Sequence, residues 1–364
     1  MTFVHLHCSQ NLNYTQGMPT LSVVKSDFIK IAKWGGIIIA TIIILFIVFR
    51  VFMAVKEMIF PSPPPAPTVS FGKLPAAIFP EGIKKNFSYE IDTTTGQLPL
   101  FSDKETVYKM EEIKPDILAV ERASGKVASL GFDPKPKQIS DFLFRWTNPE
   151  PPNQNLILNV KLAEFNVSSD FLKFESDLNG KNFSDKSEAI AGASQFLHQL
   201  GLYPEDIDEE KTVVDFSFLN NGVIQPTTRA VISNLATVYF FQKSKNEIPI
   251  VYPQGTKSSM RLVVGAGEFL GDVVDGGFFY QKILDESATY PIKTAEEAFE
   301  ELKNGKGHIA SHRGGDLNIL IKKVYIGLYA EGRIQKYITP VIVFEGNNEF
   351  LGFVSAIKDE WIDK

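Results

Sequence analysis

An unbroken apolar segment near the N-terminus constrains this chain more than any other feature. Residues 34–49 contain no charged side chain, and after Arg50 the apolar run continues to Val55. As an α-helix, residues 34–55 would be about 33 Å long, which matches the roughly 30 Å hydrocarbon core of a bilayer. A helix packed in a soluble core would be apolar on one side, whereas this segment is apolar all round. The sequence therefore predicts one transmembrane helix.

The segments on either side indicate an uncleaved signal-anchor. Residues 1–33 are too long for the charged region of a signal peptide, and no small-x-small cleavage site follows the apolar run. A proline-rich linker at 56–75 predicts a stiff polyproline II stalk that suits an extracytoplasmic domain. With the positive-inside bias, this favours a cytoplasmic N-terminal tail in a single-pass cell-membrane protein. The basic residues behind that bias are Lys25, Lys30 and Lys33 before the helix, and Arg50 and Lys56 at its end.

The charge of the chain is distributed unevenly, and this excludes one class of partner. The formal net charge is −6, and residues 1–60 carry +3, so the remaining residues carry −9. An acidic domain lacks the basic surface that neutralises phosphates, so no nucleic-acid partner is expected. The single cysteine, Cys8, precedes the apolar segment. Neither a disulfide nor a cysteine-based zinc site can therefore form within the main domain.

Beyond the linker, the chain is predicted to be α+β and to begin with a β-rich lobe at residues 76–180. This part reads as short extended runs broken by turns and proline-containing loops, without a long amphipathic helix. Within residues 117–132, Ser124-Gly125 has the composition of a turn between two extended runs. We therefore expect a hairpin there.

Two α+β units are predicted to follow, at residues 181–289 and 290–364. Each begins with a capping box, Asp185 with Glu188 and Thr294 with Glu297, and continues as an amphipathic helix. Strand-like runs follow both helices, and Asn220-Asn221-Gly222 marks a hairpin turn in the first unit. This repeated order suggests two related units. The predicted apolar stripes are Ala189, Ala193, Phe196, Leu197 and Leu200, ending at Gly201, and Ala298, Phe299 and Leu302, ending at Asn304-Gly305.

A family resemblance rests on the second unit. The stretch YPIKTAEEAFEELKNGKG, followed by VYIGLYAEGRIQKYITPVIVFEG and FLGFVSAI, resembles the C-terminal region of YycH/YycI-type proteins and the wider PepSY-like group. The resemblance spans about residues 185–360, although Val343 stands where the family often has tryptophan and the typical final glycine after Ile357 is missing. It implies PepSY/cystatin-like units and a single-pass regulator that acts by contact with a membrane sensor kinase or near wall enzymes. It implies no catalytic residue.

Three motifs suggest chemistry, and each lacks part of what that chemistry needs. GAGEFLG, at residues 265–271, follows a strand-like run as a dinucleotide loop would, but its spacing is wrong and no amphipathic helix follows. His308 and His312, near Asp316, have the spacing of metal ligands on a helix, yet flanking glycines indicate a polar loop. The acidic run 205–210 lacks the EF-hand glycine, so a solvated turn is expected, with weak Ca²⁺ binding as the alternative. No catalytic, cofactor-binding or metal-ligating residue is predicted.

The sequence leaves three functional hypotheses open. The chain contains no nucleophile elbow, HExxH motif or P-loop. The leading hypothesis is therefore a non-enzymatic regulatory module that contacts an envelope partner such as a sensor kinase or wall enzyme. The alternatives are a wall-polymer or peptide hydrolase with carboxylates dispersed in the sequence, and a structural subunit of an envelope assembly. Two aromatic runs, at residues 278–280 and 239–241, are expected to lie in sheet cores rather than at an interface.

Overall fold

A computed structural model describes residues 21–59, 65–112, 116–150, 153–175, 181–267 and 273–363. The chain divides into two units, Met1–Ala66 and Pro67–Lys364. The first contains helix α1 (Leu21–Ile59), in which the 22 residues Ala32–Met53 are long and apolar enough to cross a membrane, with a mean hydropathy of 2.8. This agrees with the predicted segment 34–55. Helix α1 also includes residues 21–33 of the predicted tail, and the rest of that tail lies outside the described residues.

The described part of the second unit contains three helices and two large sheets. The helices are α2 (Ala119–Ala128), α3 (Lys186–Leu200) and α4 (Ala295–Lys303). The strands of the first half are β1 (Ser88–Ile91), β2 (Lys104–Met110), β3 (Lys137–Gln138), β4 (Leu143–Asn148), β5 (Gln154–Asn159), β6 (Ala163–Ser168), β7 (Val213–Asn220) and β8 (Val223–Thr227). Those of the second half are β9 (Leu235–Phe240), β10 (Ile250–Val251), β11 (Met260–Gly265), β12 (Val273–Tyr280), β13 (Ile283–Pro291), β14 (His308–Ser311), β15 (Asn318–Tyr329), β16 (Tyr337–Gly346) and β17 (Leu351–Ser355).

The two sheets do not follow the predicted domain boundaries. One sheet has nine strands in the order β3-β4-β5-β6-β12-β11-β9-β7-β8, all antiparallel. The other has eight strands, with β1-β15-β16-β17-β14 as its path and β2, β10 and β13 attached. The strands of the predicted β-rich lobe are thus divided between both sheets, and the boundary at residue 289 falls inside β13. Residue patterns identify strands, but strand partners are set by contacts between distant parts of the chain.

Helix α3 covers one face of the nine-stranded sheet, and its predicted limits are confirmed. Asp185 accepts hydrogen bonds from the backbone N–H groups of Ser187 and Glu188, at 2.7 and 3.2 Å, and Gly201 ends the helix at a φ of +64°. The Glu188 carboxylate accepts from the Ser184 N–H and hydroxyl rather than from the Asp185 N–H, so the capping box is only half formed. All five residues of the predicted stripe are buried, which fixes the helix on the sheet.

The predicted hairpin at residues 117–132 is wrong, because this segment forms α2. Ala119, Ala123 and Val127 recur every four residues on one side of the helix. Ala119 and Val127 are buried, and Ala123 and Val127 pack in the same core as α3. The Trp146 indole N–H donates to the Ser124 hydroxyl at 3.2 Å, which ties the helix to β4. Glycine inside a helix costs about 1 kcal/mol relative to alanine. Packing against the rest of the core outweighs the cost of Gly125.

Helix α4 packs on the eight-stranded sheet and begins at a complete capping box, as predicted. Thr294 accepts from the Glu297 N–H at 3.2 Å, and the Glu297 carboxylate accepts from the Thr294 N–H at 2.8 Å. Ala298 and Leu302 are buried in a second core, with Phe299 at its margin. The Asn304-Gly305 end is also confirmed, with Gly305 at a φ of +71°. The resemblance to PepSY-like units stays a prediction.

Buried glutamines join the two sheets. The Gln281 side-chain amide donates to the carbonyl oxygens of Glu111 and Gln335, at 2.9 and 3.0 Å, and its oxygen accepts from the Gln335 N–H at 3.1 Å. The Gln242 amide donates to the Gln281 carbonyl at 3.4 Å. These bonds satisfy polar backbone groups where the sheets meet, and the main core continues beneath them from one sheet into the other.

The predicted free stalk is also wrong over its second half. Residues 56–59 belong to α1, and residues 60–64 lie outside the described part of the chain. Residues 67–75, which we call the strap, are hydrogen-bonded to the rest of the second unit. Leu74 is fully buried and forms a parallel bridge with Ile362. The Tyr290 hydroxyl accepts from the Phe71 N–H at 3.1 Å and donates to the Gly72 carbonyl at 2.9 Å. The strap is not continuously extended either, because Val69 and Gly72 have φ angles of +40° and +71° and the Gly72 N–H donates to the Val69 carbonyl at 3.0 Å.

Candidate binding cleft on the nine-stranded sheet

The face of the nine-stranded sheet turned away from α3, which we call the outer face, carries a row of residues of which four have polar side chains. Strand register places Arg145, Ile157, Asn166, Gly277, Arg261 and Tyr239 side by side across β4, β5, β6, β12, β11 and β9. Their strand neighbours, such as Trp146, Phe165 and Leu262, are buried in the core on the other face. The period-two alternation of strands therefore produces one apolar and one partly polar face.

Two adjacent glycines shape the middle of this row. A Cβ at Gly276 would lie 2.8 Å from the Arg261 carbonyl oxygen, so this residue allows close packing of β12 on β11. A Cβ at Gly277 would meet only the Asn166 side-chain nitrogen, at 3.9 Å. Gly277 therefore leaves a gap in the row, and a cleft of about 390 Å³ opens over it. The other residues around the cleft are Leu143, Ile157, Glu164, Phe165, Asn166, Gln254, Ser258, Ser259, Arg261, Phe278, Phe279 and Gly332.

Several polar groups around the cleft are free to bind a partner. Within the described residues, the side-chain amides of Asn166 and Gln254 make no hydrogen bond, so each offers a donor and an acceptor. Arg145, further along the row, forms no ion pair in that same part of the chain, whereas the Arg261 guanidinium donates to Asp275 at 2.7 Å. Phe279 adds a partly exposed aromatic ring. The combination suits a ligand with amide or hydroxyl groups, an apolar part and an acidic group.

The carboxylates on this face are poorly placed for hydrolysis. Glu164 lies on β6 opposite Phe279, and Asp275 lies four residues further along β12. At about 3.4 Å per residue, their backbones are roughly 14 Å apart along the strand direction. Carboxyl pairs in glycosidases are about 5–9.5 Å apart. Both groups already have partners, Asn159 for Glu164 at 3.0 Å and Arg261 for Asp275.

A smaller cleft of about 260 Å³ lies at the end of β12 and contains Tyr280. Burial raises the pKa of the Tyr280 hydroxyl, and the neighbouring carboxylates of Asp206, Glu111 and Glu205 raise it further. The hydroxyl is therefore neutral at physiological pH and can donate a hydrogen bond. It does not have the lowered pKa that an activated nucleophile needs.

The predicted motifs do not come together in either cleft. Gly265 of GAGEFLG is the last residue of β11, and Ala266 and Gly267 follow it. Residues 268–272 lie outside the described part, and the chain continues as β12, antiparallel to β11. A strand stands where a dinucleotide site has its phosphate-binding helix. The acidic run 205–210 forms turns in which Asp206 accepts from the Gln242 amide, at 3.1 Å, and Asp208 pairs with Lys211, at 3.2 Å.

The predicted polar loop is wrong at His308, which lies in β14 and is 94% buried, but it is confirmed for residues 312–317, which connect β14 to β15. Its ring stacks on Phe79, with centroids 5.4 Å apart, and its Nε2 lies 3.2 Å from the Pro253 carbonyl oxygen. Burial lowers the pKa of the imidazole. His312 lies just beyond β14, against Phe87. Among the described residues, no group of three or more His, Cys, Asp or Glu side chains could hold a metal ion.

The aromatic run at residues 278–280 shows what pattern reasoning missed. Phe278 is buried and stacks on Phe165, with centroids 5.2 Å apart, as expected for a core residue. Phe279 points the other way and lines the cleft. The pair Gly276-Gly277 before them was the available signal, because glycine within a strand marks a bend or a close approach of another group.

Comparisons with known proteins do not assign the cleft. No protein-family model matches the chain. No curated protein matches it either. Among solved structures, the chain is similar to an uncharacterized protein from Eubacterium rectale ATCC 33656, with 11% sequence identity and a TM-score of 0.34. The match covers 71% of this chain and 84% of that one, and a likeness this remote has no bearing on function.

Proposed function

We propose that this chain is a membrane-anchored, extracytoplasmic interaction module that binds a protein partner of the cell envelope and regulates or positions it. A sensor kinase or a wall enzyme is the class of partner that the sequence resemblance implies. The anchor is the apolar segment of α1, with the N-terminus in the cytoplasm. The observation that carries the proposal is the cleft over Gly277, where unpaired amides and an aromatic ring stand on a rigid antiparallel sheet.

The chemistry of the cleft indicates what the partner presents. The free amides of Asn166 and Gln254 match the donors and acceptors of a peptide backbone, and Phe279 offers a surface for an apolar side chain. Arg145 is a cation without an ion-pair partner among the described residues, so the partner is expected to bring an acidic group to that end of the row. The partner segment is therefore a peptide with both apolar and acidic side chains.

In-cell photo-crosslinking tests the proposal. A photoreactive amino acid replaces Asn166 in the cleft of the full-length protein, or Gln195 on the exposed side of α3 as a matched control, and a C-terminal tag allows capture. Protease shaving of the same cells reports on which side the tag lies. We expect shaving to remove the tag, and Asn166 but not Gln195 to capture one envelope protein reproducibly.

Each other outcome has a distinct meaning. A tag that is protected in cells whose surface proteins are cleaved would reverse the topology. Equal capture from both positions would show that the cleft is not the binding site. Crosslinks to wall polymer, with loss of mass from that polymer, would favour the hydrolase hypothesis, and crosslinks only between copies of this chain would favour a structural subunit.

A further inference from the structure

Exposed aliphatic side chains are concentrated at one end of the nine-stranded sheet. Val223 and Ile224 begin β8, and Val231 and Ile232 lie in the 3-10 helix Ala230–Ile232 that follows it. Their exposed fractions are 55%, 48%, 56% and 43%. We call these four residues the aliphatic tip. Scattered exposed aliphatics are ordinary, but a cluster of them marks a surface that contacts something apolar.

The hairpin geometry places the tip residues on both faces of the sheet. Asn221 and Gly222 form the β7–β8 turn with φ angles of +52° and +72°, as predicted from the sequence. Ile224 lies opposite Leu219, on the outer face, whereas Val223 lies opposite Asn220, on the face that α3 covers. The tip is therefore a wedge with aliphatic side chains on two sides.

The 3-10 helix brings its two residues to the same wedge. β8 and β9 pair with opposite edges of β7, so the connection between them crosses that strand. The Phe183 N–H, next to α3, donates to the Ser233 carbonyl at 3.1 Å, which places the connection on the α3 side. Val231 and Ile232 are thus on the same face of the hairpin as Val223.

The tip is almost free of charge. Residues 216–234 contain one charged side chain, Arg229, although 22% of the whole chain is charged. Arg229 is exposed and forms no ion pair within the described residues. An arginine at such a position can bury its aliphatic stem in an apolar phase and keep its guanidinium among polar headgroups. The one carboxylate bonded to the turn, Glu175, already accepts a hydrogen bond from the Gly222 N–H at 2.9 Å.

The backbone of β8 is unsuited to pairing with another strand. In a two-residue hairpin closed by Asn220 and Val223, the backbone groups of Ile224 and Pro226 face away from β7. Pro226 has no N–H, so the free edge lacks a donor that strand addition requires. The tip therefore offers side chains rather than a backbone edge, which disfavours β-pairing with a second copy of the chain.

We propose that the aliphatic tip inserts into the interfacial region of the membrane that anchors the chain. This inference rests on the proposed anchor. Only residues 60–67 separate the last residue of α1 from Thr68, a strap residue whose N–H donates to the Thr289 hydroxyl. The covalent link keeps the second unit close to the bilayer, so the contact needs fewer aliphatic side chains than binding of a free protein to a membrane would need.

Depth-dependent fluorescence quenching in vesicles tests this. The full-length Cys8→Ala protein receives one cysteine, as Ile224→Cys or Val231→Cys, labelled with an environment-sensitive fluorophore. It is reconstituted in phosphatidylethanolamine and phosphatidylglycerol, with and without doxyl-labelled lipid. Ile139→Cys and Ile334→Cys are matched controls, because the native side chains are 47% and 55% exposed. Ile43→Cys, in α1, reports on the anchor.

We expect labels at residues 224 and 231 to be quenched several-fold more than those at 139 and 334, and Ile224→Glu to reduce quenching at residue 231. Strong quenching at residue 43 with no excess at the tip would overturn the inference and leave the anchor standing. No quenching at residue 43 would overturn the anchor itself. A blue-shifted tip label that doxyl lipid does not quench would mean that a protein surface covers the tip, and would equally reject the membrane contact.

Discussion

Replacing Tyr290 with phenylalanine should loosen the strap without unfolding the second unit. The hydroxyl of Tyr290 is the only group removed, and it bonds both the Phe71 N–H and the Gly72 carbonyl. Each lost hydrogen bond costs about 0.5–1.5 kcal/mol, and Gly72 is exposed, so water can replace one of them. We therefore expect strap opening to become easier by about 1–2 kcal/mol, or about 5- to 30-fold.

Hydrogen exchange of the full-length protein measures this directly. Amides of residues 67–75 should exchange faster in Tyr290→Phe by that factor, while amides of α3 should keep their protection. Tyr325→Phe is the matched control, because it removes a hydroxyl bond to Glu345, of 2.7 Å, from the same sheet. If the strap amides of the unmodified protein exchange as fast as a free peptide, the strap is a mobile stalk and the reasoning is refuted.

Three further predictions concern local structure. Gly276→Ala should lower the melting temperature by several degrees, because the added Cβ would clash with the backbone of β11. Gly277→Ala should change the free energy of unfolding by less than about 0.5 kcal/mol. Equal effects of the two substitutions would contradict the geometry of the cleft at Gly276 and Gly277. Thr294→Ala should lower the free energy of unfolding, measured by urea titration, by about 1 kcal/mol, because the α4 cap is lost. An unchanged midpoint of the titration would show that the cap is not formed. Burial lowers the folded-state pKa of His308, so below about pH 6.5 the unfolded chain binds the proton more readily and the folded state loses stability. His308→Gln should therefore reduce the fall in melting temperature between pH 7 and pH 5. An identical fall in the variant would reject this role for His308.

The helices show which features of the fold can be predicted from sequence patterns. The stripe of α3 and the caps of α3 and α4 were predicted from residues within one helix length, because caps and amphipathic stripes depend on near neighbours. The pattern fails at α2, where Ser124-Gly125 has turn composition although Ala119, Ala123 and Val127 have the four-residue spacing of a helix. That helix forms because its apolar side packs into a core made by residues distant in sequence. The stabilisation from this packing cannot be predicted from the sequence of the helix alone.

The cleft shows the complementary case. Asn166, Gly277 and Arg261 lie far apart in sequence, and none belongs to a recognisable motif. They become neighbours through the register of β6, β12 and β11, and a shift of one residue in any pairing would turn a strand's cleft residues into the core. The strap likewise contains proline and small polar residues typical of a linker, and only the buried position of Leu74 against the C-terminal residues makes it part of the fold.

The sequence by itself determined the apolar helix that is long enough to cross a membrane, the helix caps, the Asn221-Gly222 turn and the absence of cysteine from the main domain. These features depend on composition or on residues a few positions apart, so local physical chemistry is sufficient to predict them. Tertiary structure alone decided which strands share a sheet, that residues 119–128 are helical, that the strap is bound, and where the cleft opens. Each of these depends on hydrogen bonds and apolar contacts between segments up to about 290 residues apart, such as Leu74 with Ile362, and their free energy exists only once the whole unit has folded.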